Sequence, residues 1–184
     1  MAHIPVLLKE VLEIFNPQPG EIYIDATVDG GGHARSIAER VGPRGKVLGI
    51  DMDCEIIREA GIRNKESGIK NIQLVCASYA NIRRIAEDFA MEKVNGILFD
   101  LGFSSYHIEQ SGRGFSFEKN EPLDMRYNPR ETRVTAEEIV NRFLIIKETP
   151  CGTFTEGDRF THVVSGNNRL STFDTIVANV ESQI

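Results

Sequence analysis

Apolar positions in the first hundred residues alternate between two periods. Ile4, Leu7, Leu8, Val11, Ile14 and Phe15 recur at helical spacing, and Pro17, Pro19 and Gly20 stop that run. EIYIDAT at 21–27 is a short β-rich segment, and HARSIAERV at 33–41 predicts a helix closed by Gly42 and Pro43. The same alternation continues with a strand at 46–51, a helix at 54–66, a strand at 71–77, a helix at 79–91 and a strand at 94–102. The strands are continuous apolar runs, as expected when both faces of a sheet are covered. Alternating strands and helices predict right-handed parallel crossovers, and hence an α/β sheet with helices on both faces.

Beyond Gly102 the periodicity stops. Residues 103–134 read as an extended loop rich in Gly, Pro, Arg and Phe. Thr135 caps a short predicted helix at 136–143, with Glu138 at the capping-box position. The stretch 151–168 is ambiguous between a hairpin and a poor helix, and 171–184 looks helical with Ser171 or Thr172 as its cap.

Composition narrows the picture. The 184 residues include 21 basic and 27 acidic side chains, a formal charge of −6. That argues against gripping nucleic acid by bulk positive charge. No apolar run approaches the roughly 18 residues of a membrane span. The N-terminus carries Glu10 and Glu13 and lacks a small-residue cleavage site, so no signal peptide is expected. Cys54, Cys76 and Cys151 fit neither a disulfide framework nor a CxxC metal site. Free thiols in a reducing cytoplasm are the expectation, and no metal site is predicted.

Chemistry concentrates after the first strand, in Asp25-Ala-Thr-Val-Asp29-Gly30-Gly31-Gly32-His33. Ligands of open parallel sheets bind at the carboxyl ends of strands. A glycine loop there lets backbone approach a ligand, with a helix N-terminus behind it. Asp51 ends the second strand, where a carboxylate can accept hydrogen bonds from ribose hydroxyls. The loop does not match G-x-G-x-x-G, so a dinucleotide site is a weak reading. An acidic end to strand one, a glycine loop and an acidic end to strand two resemble the S-adenosylmethionine site of class I methyltransferases. Asp25 would serve the cofactor's ammonium or organise the loop. His33 either contacts cofactor or simply caps a helix or donates to a carbonyl. Asp53 reads better as an N-cap than as a ligand. Tyr79 either stacks on adenine or packs in the core.

Strand four leads into DLGFSS at 100–105, followed by RGFSF at 113–117 and PLDMR at 122–126. Together with HIPVLLKEV, YIDATVDGGGH and GIDMD, these segments resemble the MraW-type bacterial 16S rRNA cytosine-N4 methyltransferases. The resemblance is collinear from His3 to about Phe143. It implies a Rossmann-like class I fold with S-adenosyl-L-methionine bound by Gly31, Gly32, His33, Asp51, Tyr79, Asp100 and His107. Tyr79 stands where the family commonly has Phe, and His107 where Gln is common. Asp29 replaces a residue that is often glycine.

The implied reaction moves a methyl group to the exocyclic N4 of a cytosine in small-subunit rRNA. Asp100 is the first candidate for the catalytic acceptor beside that amine, with capping of the following turn as its bland alternative. Phe103, Tyr106, Phe115 and Phe117 are candidates to stack on the base, or else form a small cluster under the loop. Arg113, Arg126, Arg130 and Arg133 are candidate phosphate contacts. Residues 104–147 nevertheless hold seven basic and seven acidic side chains, which predicts recognition of a preassembled ribosomal particle rather than naked RNA.

The expected division is a cofactor-binding half at 1–102, then a substrate loop and partial helical insertion at 103–184. The family is considerably longer, so the sheet is expected to be incomplete, with strand four at its edge. Several readings stay open: an active enzyme, a truncated or inactive cofactor- or partner-binding paralogue, and a site completed by a homo-oligomer or another chain. Segments 143–148 and 161–165 are alternative replacement strands beside strand four.

Overall fold

The computed structural model describes residues 5–91 and 93–143, and the readings for 151–168, 161–165 and 171–184 lie outside them. The chain divides into two compact units, 1–135 and 136–184. In the first, helix α1 (Leu8–Phe15) precedes β1 (Ile22–Asp25), α2 (Gly32–Val41), β2 (Lys46–Asp51) and α3 (Cys54–Glu66). Strand β3 (Ile72–Cys76), a 3-10 turn at Tyr79–Asn81, α4 (Ile82–Asp88), β4 (Gly96–Leu98) and α5 (Ser105–Glu109) follow. In the second unit, a single turn α6 (Ala136–Glu138) widens into a π-helical turn at Ile139–Phe143.

The strands form one parallel sheet in the order β3-β2-β1-β4. Register aligns Ile24 with Leu48 and Ile97, and Gly49 with Leu74. Alternate strand residues feed two cores, because successive side chains point to opposite faces. Tyr23 and Val47 pack with Leu12 of α1 and with Ala34, Ile37 and Val41 of α2. On the other face Ile24, Leu48 and Ile50 meet Ile85 of α4 and Met91. The positions Ala34, Ile37, Ala38 and Val41 carry the i, i+3, i+4, i+7 stripe that commits α2 to the sheet.

Several boundaries differ from the sequence pattern. Helix α1 starts only at Leu8, because Leu7 adopts a left-handed conformation at φ 52°. The predicted helix 79–91 opens as a 3-10 turn, with Ser78 Oγ accepting the Ala80 N–H. Strand β4 is three residues long, shorter than 94–102 implies, and it lies at the sheet edge with Ile97 exposed. Past Leu98, Phe99 and Leu101 are also exposed and extend the apolar run without a strand to hold it.

The cysteine reading is corrected. Cys54, opening α3, and Cys76, closing β3, form a disulfide across the carboxyl edge of the sheet. Parallel pairing of β2 with β3 brings these two positions together despite their separation of 22 residues. The bridge removes the cysteine pattern as an argument for a reducing compartment. Among the described residues no helix is long and apolar enough to cross a membrane.

Candidate active site

The carboxyl ends of β1, β2 and β4 converge on the turn between β1 and α2. Ala26 N–H donates to Leu98 O and Val28 N–H to Ile50 O, each at 2.9 Å, so the exit from β1 stays pinned between its neighbours. Asp29 and Gly31 both adopt positive φ, at 42° and 78°. Gly31 pays little for that conformation, whereas a side chain is strained there. Gly32 is constrained differently: a Cβ on it would run into the Pro5 ring. The segment at 5–6 therefore lies directly on the glycine turn, and His33 Nε2 donates to the Val6 carbonyl at 2.9 Å.

Four carboxylates gather at this edge. Asp25 is 1% exposed; its Oδ1 accepts the Thr27 N–H at 3.3 Å, and its Oδ2 has no hydrogen-bond partner among the described residues. Burial, aided by the charges of Asp51, Asp100 and Asp29 against the opposing Thr27 bond, pushes the Asp25 carboxyl up to about 7. Burial raises Asp51 as well, although the backbone N–H groups of Asp53 and Asp29 work against it. Asp51 Oδ1 accepts from Asp53 N–H at 2.9 Å and its Oδ2 from Asp29 N–H at 3.1 Å, which leaves each oxygen lone-pair capacity for a ligand. Asp100 is held through its backbone N–H, which donates to Thr27 Oγ1 at 2.7 Å. Its side chain is half-exposed and lies 4.0 Å from His33 Nδ1.

Tyr79 follows β3 on the same edge, half-buried and edge-on to Phe99 at 5.7 Å. His107 is placed otherwise. Its ring is buried, with Nδ1 at 3.0 Å from Ser104 N–H and Nε2 at 3.1 Å from Asp53 Oδ2, so both nitrogens are engaged inside the protein.

The aromatic candidates separate into two groups. Phe115 is buried against His107 and Tyr127, and Tyr106 donates its hydroxyl to Glu55 Oε2 at 2.6 Å. Phe103 and Phe117 are exposed. The arginine expectation also needs correcting. Arg113 is 9% exposed and turned inward, donating to the carbonyls of Arg126 and Tyr127 at 2.7 Å and to the Asp53 carboxylate. Arg126 forks onto Asp124 at 2.6 and 2.7 Å and reaches the Thr132 carbonyl. Internal carbonyls and carboxylates thus engage the terminal nitrogens of two of the four candidate phosphate-contacting guanidinium groups, while Arg130 and Arg133 remain exposed.

Sequence reasoning missed the second role of Asp53. Its N-cap role holds, since Oδ1 accepts the Glu55 N–H at 2.9 Å, but Oδ2 is the meeting point of His107 and Arg113. Only the run of basic and aromatic residues in the loop pointed toward such a partner.

A parallel sheet with a glycine turn after β1, acidic ends to β1 and β2, and a switch point between β1 and β4 defines a Rossmann-like α/β protein. Within that class the chain belongs to the MraW methylase family, whose profile matches residues 1–148. It is 46% identical over 143 residues to the ribosomal RNA small subunit methyltransferase H of Dictyoglomus thermophilum, covering 77% of this chain and 47% of that protein. The protein of the same name from Fervidobacterium nodosum is 46% identical over 142 residues, with the same coverage of each chain. The chain thus spans about half the length of these curated relatives. A solved SAM-dependent methyltransferase from Aquifex aeolicus overlays 39% of this chain and 38% of its own, at 25% identity and a TM-score of 0.36.

Proposed function

We propose that this chain binds S-adenosylmethionine and contributes the cofactor half of a methyltransferase acting on the N4 amino group of a cytosine in 16S rRNA. The observation that carries the reading is the orphaned, buried oxygen of Asp25 among four carboxylates beside a left-handed glycine turn. A cation with hydrogen-bond donors would satisfy that oxygen and be attracted by the carboxylates around it, whereas a pyrophosphate would be repelled by them. The cofactor's sulfonium supplies an activated methyl group.

The remaining work falls to this chain's own residues. Gly31 and Gly32 let backbone run close to the amino-acid end, with His33 behind them. Asp51 accepts from the ribose hydroxyls, and Tyr79 offers its ring to the adenine. Asp100 accepts a hydrogen bond from the target amine, orienting the nitrogen lone pair toward the methyl group. It can also take the proton the nitrogen sheds as the N–C bond forms and the S–C bond breaks. Cytosine N4 is a weak nucleophile because its lone pair is delocalised into the ring, which makes that alignment matter. His107 acts at one remove, through Asp53. The base has to leave any stack to reach Asp100, and Phe103 and Phe117 are the exposed rings of the loop that could receive it. A folded small subunit in the cytoplasm is the proposed substrate, since the loop's charges are largely paired internally.

Calorimetric titration with S-adenosylmethionine tests the first step, and radiolabelled methyl transfer to undermethylated small subunits tests the second. Absence of binding at millimolar cofactor, or a preference for NAD(H), defeats the reading. A second reading is favoured by one feature. Ile97, Phe99 and Leu101, beside Asp100, are each roughly half exposed, so water has access to the reacting edge. On that reading the chain is an inactive paralogue, or works with a further copy or partner completing the sheet. Binding without transfer selects it.

A further inference from the structure

One buried carboxylate fastens the loop at 102–128 to the cofactor edge. Asp53 is 2% exposed and stands two residues beyond Asp51, at the head of α3. Capping α3 requires only its Oδ1. Its Oδ2 takes two more donors from the loop, His107 Nε2 at 3.1 Å and Arg113 Nη2. Because Ser104 N–H donates to His107 Nδ1, that nitrogen is the acceptor and Nε2 carries the hydrogen toward Asp53.

Arg113 passes the connection onward. Its other terminal nitrogen holds the Arg126 and Tyr127 carbonyls, and its own carbonyl accepts the Met125 N–H at 2.8 Å. The rings of Phe115 and Tyr127 close over His107 at 5.0 and 4.8 Å, and Phe103 leans on Phe115 at 6.1 Å. In the opposite direction, Asp53 N–H donates to Asp51, which also accepts from Asp29 in the glycine turn. An unbroken hydrogen-bonded path therefore runs from the glycine turn through Asp51 and Asp53 to the base of Phe103.

We propose that Asp53 is a positioning residue: acting through Arg113 and His107, it sets the base-facing loop in register with the ribose end of the cofactor site. The substrate side of this statement rests on the rRNA methyltransferase reading, whereas the docking of the loop does not. A helix cap alone has no need of a guanidinium and an imidazole from 60 and 54 residues away. Placed there, they make Asp53 the buried anchor of the loop, beside the more exposed tie from the Tyr106 hydroxyl to Glu55.

Hydrogen exchange of the full chain, read by mass spectrometry, tests the docking. Asp53→Asn keeps an acceptor for the helix cap but removes the charge facing two donors. Amides of 102–128 should then exchange at least about tenfold faster, with those of β1–β3 within about twofold of wild type. His107→Gln keeps a donor toward Asp53 and an acceptor toward Ser104, so its loop exchange should stay within about twofold, whereas His107→Leu should release the loop. If Asp53→Asn does not fold, Arg113→Met and His107→Leu carry the same comparison. In transfer assays Asp53→Asn should lower kcat at least about tenfold while changing S-adenosylmethionine affinity less than about threefold. Unchanged exchange in the loop overturns the proposal, as does equal acceleration in β1–β3. A wild-type chain that transfers no methyl defeats the methyltransferase reading instead, and the exchange result still decides the docking.

Discussion

Asp25, at the end of β1, and Asp53, two residues beyond the end of β2, are both buried aspartates, yet their surroundings differ in kind. Around Asp25 there are three other carboxylates and one backbone N–H, and one of its oxygens bonds to nothing among the described residues. Around Asp53 there are a guanidinium, an imidazole and a helix N-terminus, and both oxygens are used. Burial drives the Asp25 carboxyl up to about 7. Burial also works to raise Asp53, but the hydrogen bonds from His107, Arg113 and Glu55 N–H outweigh it and hold Asp53 below the usual range. A carboxylate left unsatisfied inside a protein is a cost that a ligand can relieve, whereas one that is saturated already has its partners. On the proposed reading the first region takes a cation, whereas the second is already internally paired.

The largest test of that contrast is truncation. Asp53→Ala leaves Arg113 buried without its nearest counter-charge, with only the more exposed Glu55 beyond it, and should destabilise the fold by about 3–5 kcal/mol in denaturant titration. Asp25→Asn should be close to neutral or stabilising in the absence of ligand, because it removes an uncompensated acid. Equal losses in the two variants would erase the distinction.

Reducing the Cys54–Cys76 bridge should come next, at about 3 kcal/mol for a loop of this length. It acts on the Asp53 corner, since Cys54 opens the helix that Asp53 caps and Asn128 Nδ2 lies 3.8 and 3.9 Å from the two sulfurs. A thermal midpoint unmoved by reductant would assign the corner's rigidity to Asp53 alone.

Acidity separates the two aspartates by sign. With its folded value raised to about 7, Asp25 holds a proton that the unfolded chain releases near its ordinary value, so stability falls as pH rises from about 4 to about 7. Asp51, also raised, adds to that slope. Asp53 runs the other way: its contribution is present above the unfolded value and lost as pH falls through its depressed folded one. Midpoints measured across pH 4–7 should therefore decline less in Asp25→Asn than in wild type. Near pH 6, cofactor binding should also release up to about one proton, seen in calorimetry with buffers of different ionisation enthalpy, and none in that variant.

The smallest expected effect is steric. Gly32→Ala should cost about 1 kcal/mol by pushing Pro5 off the glycine turn, read as faster proteolysis of the N-terminal segment with the loop at 102–128 unaffected.

How much of this was legible before the structure depends on whether local pattern or distant pairing decides it. The stripe of apolar residues in 33–41 identifies α2, and the span 54–66 matches α3 at both ends, because Asp53 supplies a local cap. The parallel direction of the strands also follows from alternation alone, although their order does not. By contrast, the 3-10 opening of α4 and the brevity of β4 depend on a turn and an edge, which hydrophobic period does not encode. Arg113 reads as a phosphate contact on the page because an arginine in a loop is usually solvated, and nothing nearby in sequence announces an aspartate 60 residues earlier. The cysteine pair hides for the same reason, being adjacent only across the β2–β3 ladder.

By itself, then, the sequence determined the sheet, the glycine turn, the acidic strand ends and the family they belong to. Each of these is local: a period, a left-handed glycine, a charge at a strand end. Only the tertiary structure decided which buried acids are paired and which is left open. A carboxylate's state depends on the donors and dielectric around it in space, and those come from segments that meet only when the chain folds.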